Sequence, residues 1–425
     1  MKGPVAALLT GLLAILAACG EITAEDAEPG RVRAPEGFRV TVFHPGVGAR
    51  LRHLAVRENG DVLGARRDGI LVGLRDEDGD GRADRVAERR LPITTGVALW
   101  GGYLYFSDDV SVRRLALDEA LIPEGEPELV VSGFPRQSGH ADKALAFDAA
   151  GNLYVNVGAP SNACQQQSRT PGSPGQQPCP ELERQAALWR FPAGETGLEQ
   201  SDGERYVTGT RNVLAMAWHP QADALYFAMH GRDQLAGLWP ELFDADDNAE
   251  MPAEEFHRAQ AGANYGWPYT FYDRRGADGR RADGRGERLV APEYGGDGEA
   301  VAERGRYQEP LYAFPAHWAP NGLVIYQDDA FPERYRGGAF IAWHGSWNRA
   351  PRPQAGYRVT FLPLAGGRPA GPSEDFLTGF AGTGEIAQPS EAAYRPMGLA
   401  TGPDGALYVG DTEAGRVWRV TRREE

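Results

Sequence analysis

Six times along the chain, an apolar strand runs into a turn built on Gly or Asp-Gly and returns as an aromatic-rich strand. The copies read "LRHLAVRENGDVLGARRDGILVGLRD", "TGVALWGGYLYFSDDVSVRRLAL", "KALAFDAAGNLYVNVG" continuing to "ALWRF", "NVLAMAWHPQADALYFAMHG", "NGLVIYQDDAFPERYRGGAFIAWHG" continuing to "YRVTFLP", and "MGLATGPDGALYVGDTEAGRVWRV". Period-two alternation between turn residues is the hairpin signal. A radial array of such sheets leaves only short, protected edges, so the pattern predicts an all-β, six-bladed β-propeller from about residue 35 to the end. The 55 glycines and 31 prolines punctuate these runs and form no single low-complexity block. Segments 156–187 and 240–312 interrupt the repeat and are expected as top-face loops. Function in such a ring gathers at the central channel, where inner strands begin.

The first eighteen residues, "MKGPVAALLTGLLAILAA", place one basic residue before an apolar run that ends in small residues. That is a signal-peptide pattern, too short for a permanent span. Leu16-Ala17-Ala18-Cys19 resembles the bacterial lipobox, which implies a lipid on Cys19, a tether over 19–34 and a periplasmic-side envelope location; an ordinary cleavage site is the alternative. Cys164 and Cys179 then read as a disulfide in an oxidising compartment, closing the loop "QQQSRTPGSPGQQP" for up to about 3 kcal/mol. A formal charge of −15 leaves no basic face for nucleic acid. Membrane contact is expected only through the Cys19 lipid.

Of eight histidines, His140 stands out by its company. It falls just before the inner strand of the third copy. Arg211 and Asn212 hold the matching edge of the fourth, followed by "MHGRDQL", and "FPAHWAPNGL", "AWHGSWNR" and "YRPMGL" hold the corresponding edges beyond. Polar residues at equivalent ends of different blades converge in space.

These segments, with "RNVLAMAWHP", "GANYGWP" and the closing "GLATGPDGALYVGDTEAGRVWRV", resemble the quinoprotein soluble glucose, aldose and sorbosone dehydrogenases, and most closely the sorbosone type. The resemblance covers nearly all of the mature chain. It implies bound pyrroloquinoline quinone and calcium, a sugar substrate and a separate electron acceptor. Carried over, it makes His140 the general base on the sugar hydroxyl and Arg211 the group that polarises the quinone oxygen. Asn212 and Arg395 become cofactor contacts, and the carbonyls of Gly231 and Arg232 become calcium ligands, with Asp233 supporting their loop. Three departures stand out: Met397 replaces a second arginine, Gly139 replaces an acid, and the fifth-blade lysine is missing, so that His344, Trp347 or Arg349 substitutes for it.

Independently, "DEDGDGRAD" sets Asp76, Asp78, Asp80 and Asp84 at calcium-loop spacing, with Gly81 at the sharp turn and Ala87 at the twelfth place. It reads as a structural metal loop or an acidic turn. "GANYGWPYTFYD" reads as a packed aromatic loop or a sugar platform, and "RRGADGRRADGRGER" as a mobile surface segment. A metal-dependent lactonase and a non-catalytic sugar- or protein-binding propeller are the competing functions.

Overall fold

The computed structural model describes residues 32–276 and 278–423, so the leader, Cys19 and most of the tether lie outside the described residues. Five four-stranded antiparallel sheets and one five-stranded sheet, in which Leu198–Glu199 adds in parallel to Glu128–Ser132, are arranged as a six-bladed β-propeller. The innermost strands are Leu51–Val56, Val97–Trp100, Leu145–Phe147, Ala215–His219, Pro320–Ile325 and Pro396–Thr401. Each abuts the next, and the sixth meets the first.

Glycine makes that approach possible. A Cβ on Gly322 would sit 2.2 Å from the Met397 carbonyl oxygen, and one on Gly398 would sit 2.4 Å from that of Arg52. The ring closes non-locally: Phe38–His44 pairs with Val417–Arg422 as the outer strand of blade six. Phe38 then packs edge-on against Phe331, Phe376 and Tyr335 at 4.8, 5.0 and 5.5 Å, burial worth about 1.5–3 kcal/mol.

Six apolar clusters fill the six gaps between blades. Alternation in the repeats therefore buries both faces of each sheet. Cys164 and Cys179 form the expected disulfide. No helix among the described residues is long and apolar enough to cross a membrane.

Two expectations change. Glu254–Arg258, inside the segment read as one insertion, is the third strand of blade four, pairing with Ala224–Met229 and Tyr312–Phe314. Its sequence hid this because its buried positions include Glu254, Glu255 and His257, whose charges are met locally. The charged segment after it is not loose at its ends. Arg274 and Arg288 are buried, the first paired with Asp283 and Glu250, the second with Glu255. Arg281 bridges Asp273 and Asp247.

Candidate active site

His140 sits in a turn with φ +47°, a left-handed conformation that a residue with a Cβ adopts only when its surroundings compel it. Gln137 supplies the constraint: its Nε2 lies 2.7, 3.0 and 2.9 Å from the carbonyl oxygens of Gly139, His140 and Gly158. Gly158 is required beside it, since a Cβ there would stand 2.7 Å from the His140 Cβ and 2.8 Å from Asn212 Oδ1. Gly139 is equally forced, because its Cβ would meet the Pro160 carbonyl oxygen at 2.5 Å. The acid that the resembling enzymes carry has no room here.

His140 Nδ1 lies 2.6 Å from the Ala159 carbonyl oxygen. A carbonyl only accepts, so Nδ1 carries the hydrogen and Nε2 keeps its lone pair. Burial, followed by the charge of Arg211, lowers the His140 pKa to about 3, so the ring is neutral at pH 7.

Arg211 is buried at the edge of blade four. Its Nε donates to the Asn162 carbonyl (3.3 Å), Nη1 to the Gly231 carbonyl (2.8 Å), and Nη2 to Asn162 Oδ1 (3.1 Å) and Asp233 Oδ2 (2.8 Å). A guanidinium has five N–H donors, which leaves one on Nη1 for a ligand. Burial would raise the Asp233 pKa, but Arg211, His317 and Arg169 overcome it and hold the carboxylate at about 2.

Asn212 accepts from Asn156 Nδ2 at 3.2 Å and donates to His230 Nδ1 at 3.3 Å, while His230 Nε2 donates to the Pro320 carbonyl at 2.8 Å. That chain fixes one neutral tautomer of His230, whose pKa burial lowers to about 4. Glu254 ties the metal-candidate loop to blade five, accepting from the Gly231 amide (2.8 Å) and the Ala319 amide (3.0 Å). Burial pushes it up to about 7. The Arg232 side chain is committed to buried Glu293, leaving its main chain for any metal role.

Blades five, six and one complete the mouth. His344 Nε2 lies 2.9 Å from Thr412 Oγ1. Burial and then the charges of Arg395 and Arg52 hold its pKa well below the usual histidine value. Arg395 donates to the carbonyls of His344 (3.1 Å) and Gly345 (2.7 Å). Arg52, which the sequence reading missed, pairs with Asp142 at 3.0 Å, and its buried Nε has no partner. Burial, then Arg67 and Arg395, lower the Arg52 pKa to about 9. Asn321 Oδ1 is likewise buried without a partner.

Of the fifth-blade alternatives, His344 reaches this cluster and Trp347 is 52% exposed. Arg349 instead donates to the Ala249 carbonyl (2.9 Å), Glu250 (2.8 Å) and the Pro353 carbonyl (3.2 Å). It braces the insertion, because a run of carbonyls and a carboxylate there satisfies its whole fork. Met397 is fully buried in a cluster with Ala144, Val213 and Leu214, so nothing at that position can supply charge.

In blade one, Asp76, Asp78 and Asp84 each bring a carboxylate oxygen within 4.8 Å of the others. Asp80 is not in that group; its Oδ1 accepts from the Arg82 amide at 2.8 Å. The loop packs on the ring-closing strand, where the Ala83 amide donates to the Phe43 carbonyl at 2.8 Å. "GANYGWPYTFYD" is a packed loop, with Tyr265, Trp267, Phe271 and Tyr272 all buried.

Sequence reasoning also missed Asn162, His230 and Glu254. Arg52 did leave a signal, since Arg52-x-Leu54 matches the Asn212-x-Leu214 offset of copy four. Asn162 lies in an insertion and left none.

The model of the TrAA12-like family matches residues 32–423. Among solved structures, the calcium structure of a Trichoderma reesei carbohydrate-active enzyme of family AA12 is similar over 93% of this chain and 98% of its own, with a TM-score of 0.74 and 17% identity. The holo form of the pyranose dehydrogenase PQQ domain from Coprinopsis cinerea is similar over 92% and 97%, at 0.72 and 18%. The apo soluble aldose sugar dehydrogenase of Escherichia coli is similar over 91% and 100%, at 0.57 and 20%. At these identities the likeness is one of fold.

Proposed function

The chain belongs to the TrAA12-like family, and from that premise we propose that it is an oxidoreductase that moves a hydride from a sugar to calcium-bound pyrroloquinoline quinone. The observation that carries this reading is a buried mouth set with three arginines, each beside a carboxylate (Asp142, Asp233 and Glu413), in a chain of net charge −15. Arg52, Arg211 and Arg395 converge around neutral histidines, and Arg52 has an unpartnered Nε and a pKa lowered to about 9. Such a site wants an anion. The tricarboxylate quinone suits it, and the names of the similar proteins, one a PQQ domain and one a calcium structure, point the same way.

Arg395 and Arg52 would hold carboxylates of the cofactor, with Arg52 supplying the charge Met397 lacks. Asn212 and His344 would contribute hydrogen bonds, and the Gly231 and Arg232 carbonyls would ligate calcium beside the anionic Asp233. When bound, the quinone supplies the hydride acceptor and calcium polarises it. His140 accepts the proton of the sugar hydroxyl at Nε2, held in register by its Nδ1–H bond to Ala159. Burial is the main cause of the lowered His140 pKa, and anionic charge beside Arg211 would offset only the smaller, Arg211 part of it. The remaining Nη1 hydrogen of Arg211 would be the donor available to stabilise negative charge on a bound acceptor. Electrons leave to a separate acceptor. Export, with the Cys19 lipid as the only membrane link, belongs to this reading.

The lactonase alternative needs carboxylates converging at the channel. The group with converging oxygens among the described residues is Asp76, Asp78 and Asp84, on an outer blade-one loop; there a structural cation would pin the ring closure. The test is reconstitution of protein lacking residues 1–19 with quinone and calcium, followed by dye reduction over a panel of aldoses and sugar alcohols. Calcium-dependent reduction is expected. Quinone binding without reduction of dye by any sugar would leave a binding propeller.

A further inference from the structure

We propose that Asn162 is the positioning residue of this site, locking Arg211 and the Gly231–Asp233 loop into one unit, and that the Cys164–Cys179 disulfide holds Asn162 in place. Its part in turnover rests on the reading above; its part in fixing Arg211 does not.

Asn162 is 2% exposed and its side-chain polar groups are spent on two partners that must stay in register. Its Oδ1 accepts from Arg211 Nη2 at 3.1 Å and from the Asp233 amide at 2.8 Å. Its Nδ2 donates to the Asp233 carbonyl at 2.9 Å. Its own carbonyl accepts from Arg211 Nε at 3.3 Å and from Trp267 Nε1 at 3.0 Å. Asn162 thus grips Arg211 from side chain and main chain together, and grips both main-chain polar groups of Asp233.

No other common side chain does this. Aspartate of the same shape cannot donate to the Asp233 carbonyl and would set a second carboxylate beside that of Asp233. Alanine would leave Arg211 Nη2 with Asp233 alone, with Nη1 still on the Gly231 carbonyl, and lower the barrier to rotation of the guanidinium about its Nε–Cζ bond. Because the remaining Nη1 hydrogen is the one available to a ligand, that rotation would spread it over several directions.

Asn162 belongs to a loop that would otherwise be long and irregular. Cys164, two residues on, is fully buried and bonded to Cys179. From within the bracketed loop, Arg169 reaches Asp233 Oδ2 at 3.3 Å, so the same loop braces the Arg211–Asp233 pair from its far side. The bridge ties down the two side chains, Asn162 and Arg169, that set the pair's geometry.

The test uses the cofactor-free protein with labelled arginine. In the wild type, the four bonded N–H groups of Arg211 predict slow guanidinium rotation and resolved Nη signals, assigned by their loss in Arg211→Lys. Asn162→Ala should collapse them to an average while the Tm stays close to wild type, and the double Cys164→Ser, Cys179→Ser variant should broaden them. In reconstituted enzyme, Asn162→Ala should lower kcat by roughly 10²-fold with the sugar KM within about threefold, since positioning acts in the transition state. Resolved Arg211 signals in Asn162→Ala would overturn the role of Asn162, and wild-type signals in the double cysteine variant would overturn that of the disulfide. Collapsed signals in a family of proteins none of which oxidises a sugar would leave the positioning role standing and refute the dehydrogenase reading alone.

Discussion

Two residues separate the most varied ring of this protein from its most uniform one. The channel is lined by Leu54, Val97, Leu145, Leu214, Leu323 and Leu399, one from each blade, around a cavity of about 180 Å³. Two positions earlier on the six blades stand Arg52, Thr95, Lys143, Asn212, Asn321 and Met397. The lower ring does one job six times: it fills a narrow channel, and any branched apolar side chain of the right volume suffices. The upper ring is fed by loops of different length and serves a site with no sixfold symmetry. In blades one, five and six, the strand register shifts at the boundary between the rings, which re-aims the upper side chains. Symmetry carries the fold, and its breaking carries the chemistry.

The sharpest separation should come from His140→Ala, which loses the proton acceptor at a site the fold does not need. Sugar oxidation is expected to fall by roughly 10²–10⁴-fold, with quinone-induced thermal stabilisation intact. Turnover retained would remove His140 from the base role. Leu214→Ala should do the reverse. It opens a cavity in the lower ring and costs about 2–5 kcal/mol in urea unfolding, while quinone affinity per folded molecule holds. A lower-ring variant, at this leucine collar, that lost quinone binding without losing stability would show the two rings to be one functional unit.

The smallest effect is a pH slope. His53, His140 and His230 have native pKa values of about 4, 3 and 4, each lowered chiefly by burial. Below their ordinary value near 6.5 the unfolded chain binds protons that the native mouth refuses, so stability falls as pH drops through 6.5 and continues to fall until about 4. Glu254, raised to about 7 by burial, works the other way between about 7 and 4.5. The other five histidines are lowered as well, chiefly by burial, so unfolding between pH 6.5 and 4.5 takes up protons and stability falls toward acid. Urea titrations at steps across that range measure it. Leu214→Ala should shift the curve without changing its slope, because the collar does not titrate.

The repeat made the blades legible because alternation of apolar side chains is what the inter-blade clusters require. It also placed His140, Arg211, Asn212 and Arg395 ahead of inner strands and His344 at the end of a second strand. What stayed hidden lay in the insertions. Asn162 and Glu254 act through single hydrogen bonds across long sequence distances, and no local period encodes such contacts. Arg349 escaped a correct reading for the same reason: its partners, Ala249 and Glu250, come from the short helix Ala245–Glu250, one hundred residues earlier. The strand at Glu254–Arg258 stayed hidden because its buried polar side chains find their hydrogen-bond partners across the fold, at Gly231, Arg288 and Ala319.

The most direct test is calorimetric titration of pyrroloquinoline quinone into the chain lacking residues 1–19, with calcium and then with a chelator, alongside Arg395→Ala and Arg52→Ala. The account predicts one quinone per chain, binding lost with the chelator and weakened by roughly tenfold or more in each arginine variant. Binding indifferent to calcium and to both arginines, or no binding at all, would contradict a cofactor site at the channel mouth.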